Sequence, residues 1–266
     1  MERIKTFEEL TIRDNFLFER VMRNKRLCRM LIEKILGIRV KEITYPSIEK
    51  TINIRLLSRG IRLDVYVEDD KGHIYNIEMQ CSYEKQISIA KRARYYEALI
   101  DNELLEKGQP YETLNQTYII FICTFDPFHK ELPKYTFNAC CKEVAGLQLE
   151  KEQQEIFLNS TAADAARDPS LAAFLRYVDG KADGIRDEFT REVTKVKRID
   201  KVRREYMLLS DELKRFKEAG REEGIEEKMI RTMQKMILSG FTDEQILEVT
   251  ECTPDELQAC HEKLKK

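Results

Sequence analysis

The stretch Leu63 to Gln80, LDVYVEDDKGHIYNIEMQ, constrains the fold of this chain more than any other. Apolar and polar residues alternate on both sides of Asp70-Lys71-Gly72, as in two strands joined by a tight loop. Three-residue hairpin loops end in a left-handed residue, a conformation that glycine adopts without steric cost. Asp69 then faces His73, and the pairing runs inward to 67 with 75, 65 with 77 and 64 with 78. In that register Leu63, Val65, Val67, Tyr75, Ile77 and Met79 form one apolar, buried face. Asp64 and Glu78 stand opposite each other on the other face, with Cβ atoms roughly 4.5–5.5 Å apart. A slip of one residue would separate them onto different faces.

Facing carboxylates repel, so the pair needs a bound cation, a shared proton or full exposure to solvent. A hard divalent cation such as Mg²⁺ takes oxygen ligands and is often held by one or two carboxylates plus substrate phosphates. A solvated hairpin face with arginine and lysine nearby accommodates the same two residues. Geometry alone leaves these alternatives open.

The surrounding pattern is that of an α/β protein. Residues 14–36 carry Phe18, Val21, Met22, Leu27, Leu31 and Ile35 at helical spacings, as one helix or two short ones ended by Gly37. Strand candidates follow at 51–57, 61–67 and 73–79, then a helix over 84–106 with Ile89, Ala93, Tyr96 and Ile100 on one stripe. The apolar run YIIFICTF, 118–125, reads as a buried strand turned at Pro127. The order helix, strands, helix, strand predicts a sheet covered by helices.

Beyond residue 140 strand signals fade, and 141–235 reads as helical, with alternating charge from 187 onward. The tail offers two capping boxes, Thr242 with Gln245 and Thr253 with Glu256, hence two short helices. The second has few residues suited to reading base edges. Three regions are expected: 1–140, 141–235 as a helical extension suited to self-association or interaction, and 236–266 as a two-helix unit.

Overall charge is nearly balanced, at a formal −2, which excludes a uniformly basic coat but leaves room for a local basic face. Seven cysteines without a C-x-x-C pair read as reduced thiols, and three scattered histidines do not make a zinc site. The N-terminus MERIKTFEEL lacks the apolar run of a secretory signal, and no stretch approaches 18 uncharged apolar residues. A cytoplasmic location without membrane contact is expected.

The motif D-x(13)-E-x-Q, with its glutamate and glutamine on a strand reached by a hairpin, resembles the PD-(D/E)xK nuclease core with glutamine in the lysine position. DNFLFERVM, RLDVYVEDDKG, YNIEMQ, KRARYYEALI and YIIFICTFDPF, in that order, resemble the recombination-promoting nuclease and putative transposase family, over roughly residues 8–130. Leu63 stands where the superfamily usually has proline.

The resemblance implies a restriction-endonuclease-like core, a mixed sheet flanked by helices, with a helical C-terminal extension. It implies Mg²⁺ (or Mn²⁺) as cofactor and DNA as partner, with phosphodiester hydrolysis as the reaction. Asp64 and Glu78 take the metal-binding positions, Gln80 the position beside the attacking water, and the Met79 carbonyl a further ligand position. Glu19, Glu33 or Asp14 would supply the acidic residue of the first helix. Arg92, Tyr95 and Lys85 would support the site or the substrate. Glutamine can orient a water but cannot act as a base. The competing expectation is a weak or inactive nuclease-fold module that binds DNA or a protein partner. Duplex cleavage requires two strands to be cut, which points to a homo-oligomer through the charged helical region.

Overall fold

The computed structural model describes residues 3–46, 63–81, 88–181, 188–250 and 252–264. They form two compact units, one spanning Thr6–Val202 and the other combining the N-terminal residues through Lys5 with Arg203 onward.

The first unit is an α/β sandwich. It begins with helices α1 (Asn15–Met22) and α2 (Lys25–Leu36), then strands β1 (Ile43–Thr44), β2 (Val65–Asp69) and β3 (Ile74–Gln80). Helix α3 (Ile89–Leu104) leads to β4 (Thr117–Cys123), β5 (Lys134–Phe137) and β6 (Gln153–Asn159), and helices α4 (Pro169–Asp179) and α5 (Glu188–Lys197) follow. Among the described residues the sheet has six strands in the order β1-β2-β3-β4-β6-β5. The β3–β4 and β4–β6 pairs are parallel, and the other pairs are antiparallel. This is the helix-covered sheet that the element order predicts, with the mixed strand directions that the resemblance implies.

The two-helix alternative holds for 14–36. The chain breaks at Arg23-Asn24, where the Asn24 side chain accepts the Leu27 N–H at 3.2 Å and starts α2. Gly37, at φ 70°, closes α2 with its N–H on the Glu33 carbonyl. The strand candidate at 51–57 and the first residues of those at 61–67 and 84–106 lie outside the described residues.

The hairpin register is the expected one: Val65 pairs with Ile77, Tyr66 with Asn76 and Val67 with Tyr75. The Asp69 N–H donates to the His73 carbonyl at 3.0 Å, and Gly72 takes φ 81°. Asp69 locks the loop, because its carboxylate accepts the N–H groups of Lys71 and His73, both at 2.9 Å, and the Tyr75 hydroxyl at 2.7 Å.

Of the alternatives left open for the acidic pair, the solvated face is excluded: on the face that carries them, Asn76 is fully buried and Glu78 is 3% exposed. Helix α3 covers this face, with Ala93, Tyr96 and Ile100 packed on Ile74, Ile119, Phe121, Cys123 and Phe157. Each large apolar side chain so buried contributes about 1.5–3 kcal/mol. Tyr96, Phe121 and Phe157 stack in succession at centroid distances of 6.0 and 5.6 Å. The opposite face, with Tyr75, Ile77, Ile120, Ile122, Ile156 and Leu158, is also buried. Parallel central strands are covered on both sides, and polar residues on β3 are therefore interior residues.

Within 141–235, where the sequence reads as almost wholly helix-forming with weak strand signals, β6 is an added strand that corrects the helical reading. Its leading residues Gln153-Gln154-Glu155 are partly exposed, whereas Ile156, Phe157 and Leu158 are buried between β4 and β5. Three polar residues followed by three apolar ones give neither a period of two nor one of 3.6, so the strand left no periodic signal.

In the second unit, α6 (Asp200–Leu238) is followed by α7 (Asp243–Thr250) and α8 (Pro254–Leu264). Both capping boxes form: Thr242 and Gln245 exchange bonds of 3.0 and 3.3 Å, and Thr253 and Glu256 exchange bonds of 2.7 and 3.3 Å. Met233, Ile246, Cys252, Leu257 and Cys260 make a small core there.

Candidate active site

Asp64 and Glu78 meet at the open end of the β2–β3 hairpin. The Asp64 N–H donates to Glu78 Oε1 at 3.1 Å, and Asp64 Oδ2 accepts the Met79 N–H at 3.0 Å. Each carboxylate is thus anchored to the backbone of the facing strand, one residue beyond the last ladder pair. The Gln80 carbonyl accepts the Thr124 N–H, so Gln80 faces β4 and the backbone of Met79 points the other way, toward Asp64. The Met79 carbonyl therefore lies on the side of the acidic pair.

Helix α3 brings Arg92 to the same place. Its guanidinium donates to Gln80 Oε1 at 2.5 Å and to the Tyr96 hydroxyl at 2.9 Å, and lies 3.7 Å from Glu78 Oε2. The Tyr96 hydroxyl in turn reaches Glu78 Oε2 at 3.5 Å. The guanidinium also lies over the rings of Tyr96 and Phe121, at 5.5 and 5.3 Å. A helix residue four positions before Tyr96 naturally shares its face.

Of the three acids considered on or near the first helices, Glu19 is the one whose charge acts on Asp64. It lies on α1 and pairs with Arg23 at 2.9 Å and Arg20 at 3.5 Å. Asp14 instead accepts the Thr11 N–H at 2.7 Å, just before α1. Glu33 accepts the Val40 N–H at 2.9 Å and lines a pocket with Arg29, Lys41 and the hairpin turn residues Asp69, Asp70 and Lys71. That pocket is at the loop end of the hairpin, away from Asp64. Tyr95 packs at the margin of the core beneath α3, and Lys85 lies outside the described residues.

Asn15 was not anticipated. As the first residue of α1 it donates its side-chain amide to Asp64 Oδ1 at 3.3 Å. Tyr96 is anticipated only as a core residue, yet its hydroxyl links Arg92 to Glu78. Nothing in the spacing of a long-range amide donor could have shown Asn15.

The electrostatics follow from burial and like charge. Desolvation, then the charge of Asp64, pushes Glu78 up to about 8, against the opposing effects of the Asp64 N–H and Arg92. Asp64 is also raised, chiefly by burial and further by Glu19, although the bonds from Met79 and Asn15 favour its charged form. The amide of Asn76, next along the face, approaches Glu78 closely enough to favour the carboxylate, but it makes no hydrogen bond of good geometry.

Among the described residues no group of three or more histidine, cysteine, aspartate or glutamate side chains gathers to hold a metal ion. The donor set is a pair of carboxylates with an adjacent backbone carbonyl. These oxygens fit a hard divalent cation, because a positive charge there would offset the burial and like charge that raise both carboxyls.

No helix among the described residues is long and apolar enough to cross a membrane. Searches among curated proteins and among solved structures gave no match. A family model, described as PD-(D/E)XK nuclease family transposase, matches residues 15–172, from α1 into α4 and including all of the hairpin, α3 and β6. That match spans more than half of the chain and agrees with the mixed sheet described above, and the chain accordingly belongs to the PD-(D/E)XK nuclease family transposases.

Proposed function

We propose that the chain is a metal-dependent DNA endonuclease that hydrolyses phosphodiester bonds at the open end of the β2–β3 hairpin. The observation that carries this reading is the mutual anchoring of Asp64 and Glu78, which holds a half-buried and a buried carboxylate together despite their repulsion. Asp64, Glu78 and the Met79 carbonyl would hold Mg²⁺ or Mn²⁺, with Glu19 as a further acid supported by its effect on Asp64. When bound, such an ion polarises the scissile phosphate and lowers the pKa of water. The chain's own groups do the positioning. Arg92 supplies the positive charge that the superfamily's lysine would provide, and it holds the side-chain oxygen of Gln80 in place.

A second reading is favoured by one observation. Arg92 spans Gln80 and Glu78, and among the described residues no third acid completes a metal cluster. A nuclease-fold module that binds DNA or a protein partner without efficient cutting has the same features.

Incubating supercoiled and linear DNA with the protein in Mg²⁺, Mn²⁺ or EDTA separates the two. Metal-dependent cutting that is lost in Asp64→Ala and Glu78→Ala supports the endonuclease. DNA retention without cutting supports the second reading, and equal cutting by all three proteins would place the activity elsewhere.

A further inference from the structure

We propose that α6 pairs with α6 of a second copy of this chain as a short, parallel coiled coil over residues 206–216. Tyr206, Leu209, Leu213 and Phe216 recur at spacings of three, four and three, the period of a coiled-coil seam, and Val202 extends the row by sequence. Within the unit this seam is covered only at its start: Tyr206 is buried and its hydroxyl donates to the Lys5 carbonyl at 2.8 Å. Leu213 and Phe216 are 47% and 68% exposed, and Met207 and Leu208 flank the start of the seam as further exposed apolar residues. Two large apolar residues one turn apart at the same seam form a surface that water does not favour.

Charge beside the seam identifies the occupant. With Tyr206 and Leu213 as a positions and Leu209 and Phe216 as d positions, the flanking g positions are Glu205 and Glu212, and the e positions are Ser210 and Lys217. In a parallel pair each g residue meets the e residue five positions later on the partner helix. Glu212 of one copy then faces Lys217 of the other, twice by symmetry. In an antiparallel pair g meets g and e meets e, so glutamate would face glutamate and lysine would face lysine. A second copy in parallel register is therefore the occupant whose charges match. Gly220 and Glu223 end the apolar row, which limits the contact to about two heptads and makes the dimer concentration-dependent.

Molar mass measured by light scattering or sedimentation over a range of concentrations tests this independently of any hydrolysis. The parent should pass from monomer to dimer, and Phe216→Glu and Leu213→Glu should remain monomeric while keeping the parent's circular dichroism. Glu212→Lys should weaken dimerisation about three- to tenfold, and adding Lys217→Glu to it should restore the parent's midpoint. A parent that is monomeric throughout, a dimer that survives Phe216→Glu, or a Glu212→Lys dimer tighter than the parent's would each overturn the proposal.

Discussion

Asp64 and Glu78 hold each other through the backbone: the N–H of Asp64 binds the Glu78 carboxylate at 3.1 Å, and the Asp64 carboxylate binds the N–H that follows Glu78 at 3.0 Å. Two acids, Glu78 buried and Asp64 half-buried, are thereby fixed side by side where desolvation disfavours both of their charges.

Glu78 should make stability depend on pH. Its folded pKa is pushed up to about 8, above the 4.5 of an unperturbed glutamate, so the folded protein keeps a proton that the unfolded chain has released. This contribution is full below the unfolded value and is lost as pH rises toward the folded one. Glu97, pushed up to about 7 by burial and the charge of Glu155, acts in the same direction. Glu78→Gln removes only the first contribution. The metal-free variant's Tm should therefore fall less steeply than the parent's between about pH 5 and pH 8, although some slope from Glu97 remains. Identical slopes would contradict the burial of a titrating Glu78.

Restoring the superfamily's lysine should not help this protein. Gln80 Oε1 accepts the Arg92 guanidinium at 2.5 Å, and Gln80→Lys would place an ammonium against that cation. The expected cost is about 1–3 kcal/mol, with no gain in any DNA cleavage. Combining it with Arg92→Gln should recover most of the lost stability. Thermal melts of the single and double variants form the test, and a fully stable Gln80→Lys would refute the assigned contact.

Asp69 should be the hairpin's acid-sensitive anchor. The Tyr75 hydroxyl, the N–H groups of Lys71 and His73, and the His73 ring hold its carboxyl below the usual range despite desolvation. A depressed pKa contributes stability above the unfolded value that disappears as pH falls through the folded one. Tyr75→Phe should cost about 1–2 kcal/mol near neutral pH and lessen the acid sensitivity. Urea melts at about pH 7 and pH 3 compare the two proteins.

Gly72→Ala should destabilise the hairpin by about 1–2 kcal/mol. The position has φ 81°, which L side chains adopt at a cost, and an added Cβ would lie 3.1 Å from the Asn115 amide nitrogen. That amide donates to the Gly72 carbonyl at 2.6 Å and cannot withdraw freely. A variant as stable as the parent would show that the loop can take another form.

The hairpin was legible because its determinants are local. Asp70-Lys71-Gly72 sets the loop, and the alternation beside it sets the pairing of 65 with 77 and 67 with 75. The capping boxes at Thr242 and Thr253 were equally legible, each resting on residues three apart. Strand β6 was not, because its pairing with β4 comes from burial across the sheet rather than from its own periodicity. That the charge of Glu19 rather than Glu33 acts on Asp64 depends on which turn of which helix comes near Asp64, a long-range property.

By itself the sequence determined that Asp64 would face Glu78, since register follows from turn length and a period of two. Only the tertiary structure decided what that pairing means. Helix α3 covers the face, burial there disfavours the charge of both acids, and Arg92 arrives from twelve residues beyond Gln80 to share it. Local spacing sets which side a residue takes, whereas the dielectric around it is set by whatever packs there last.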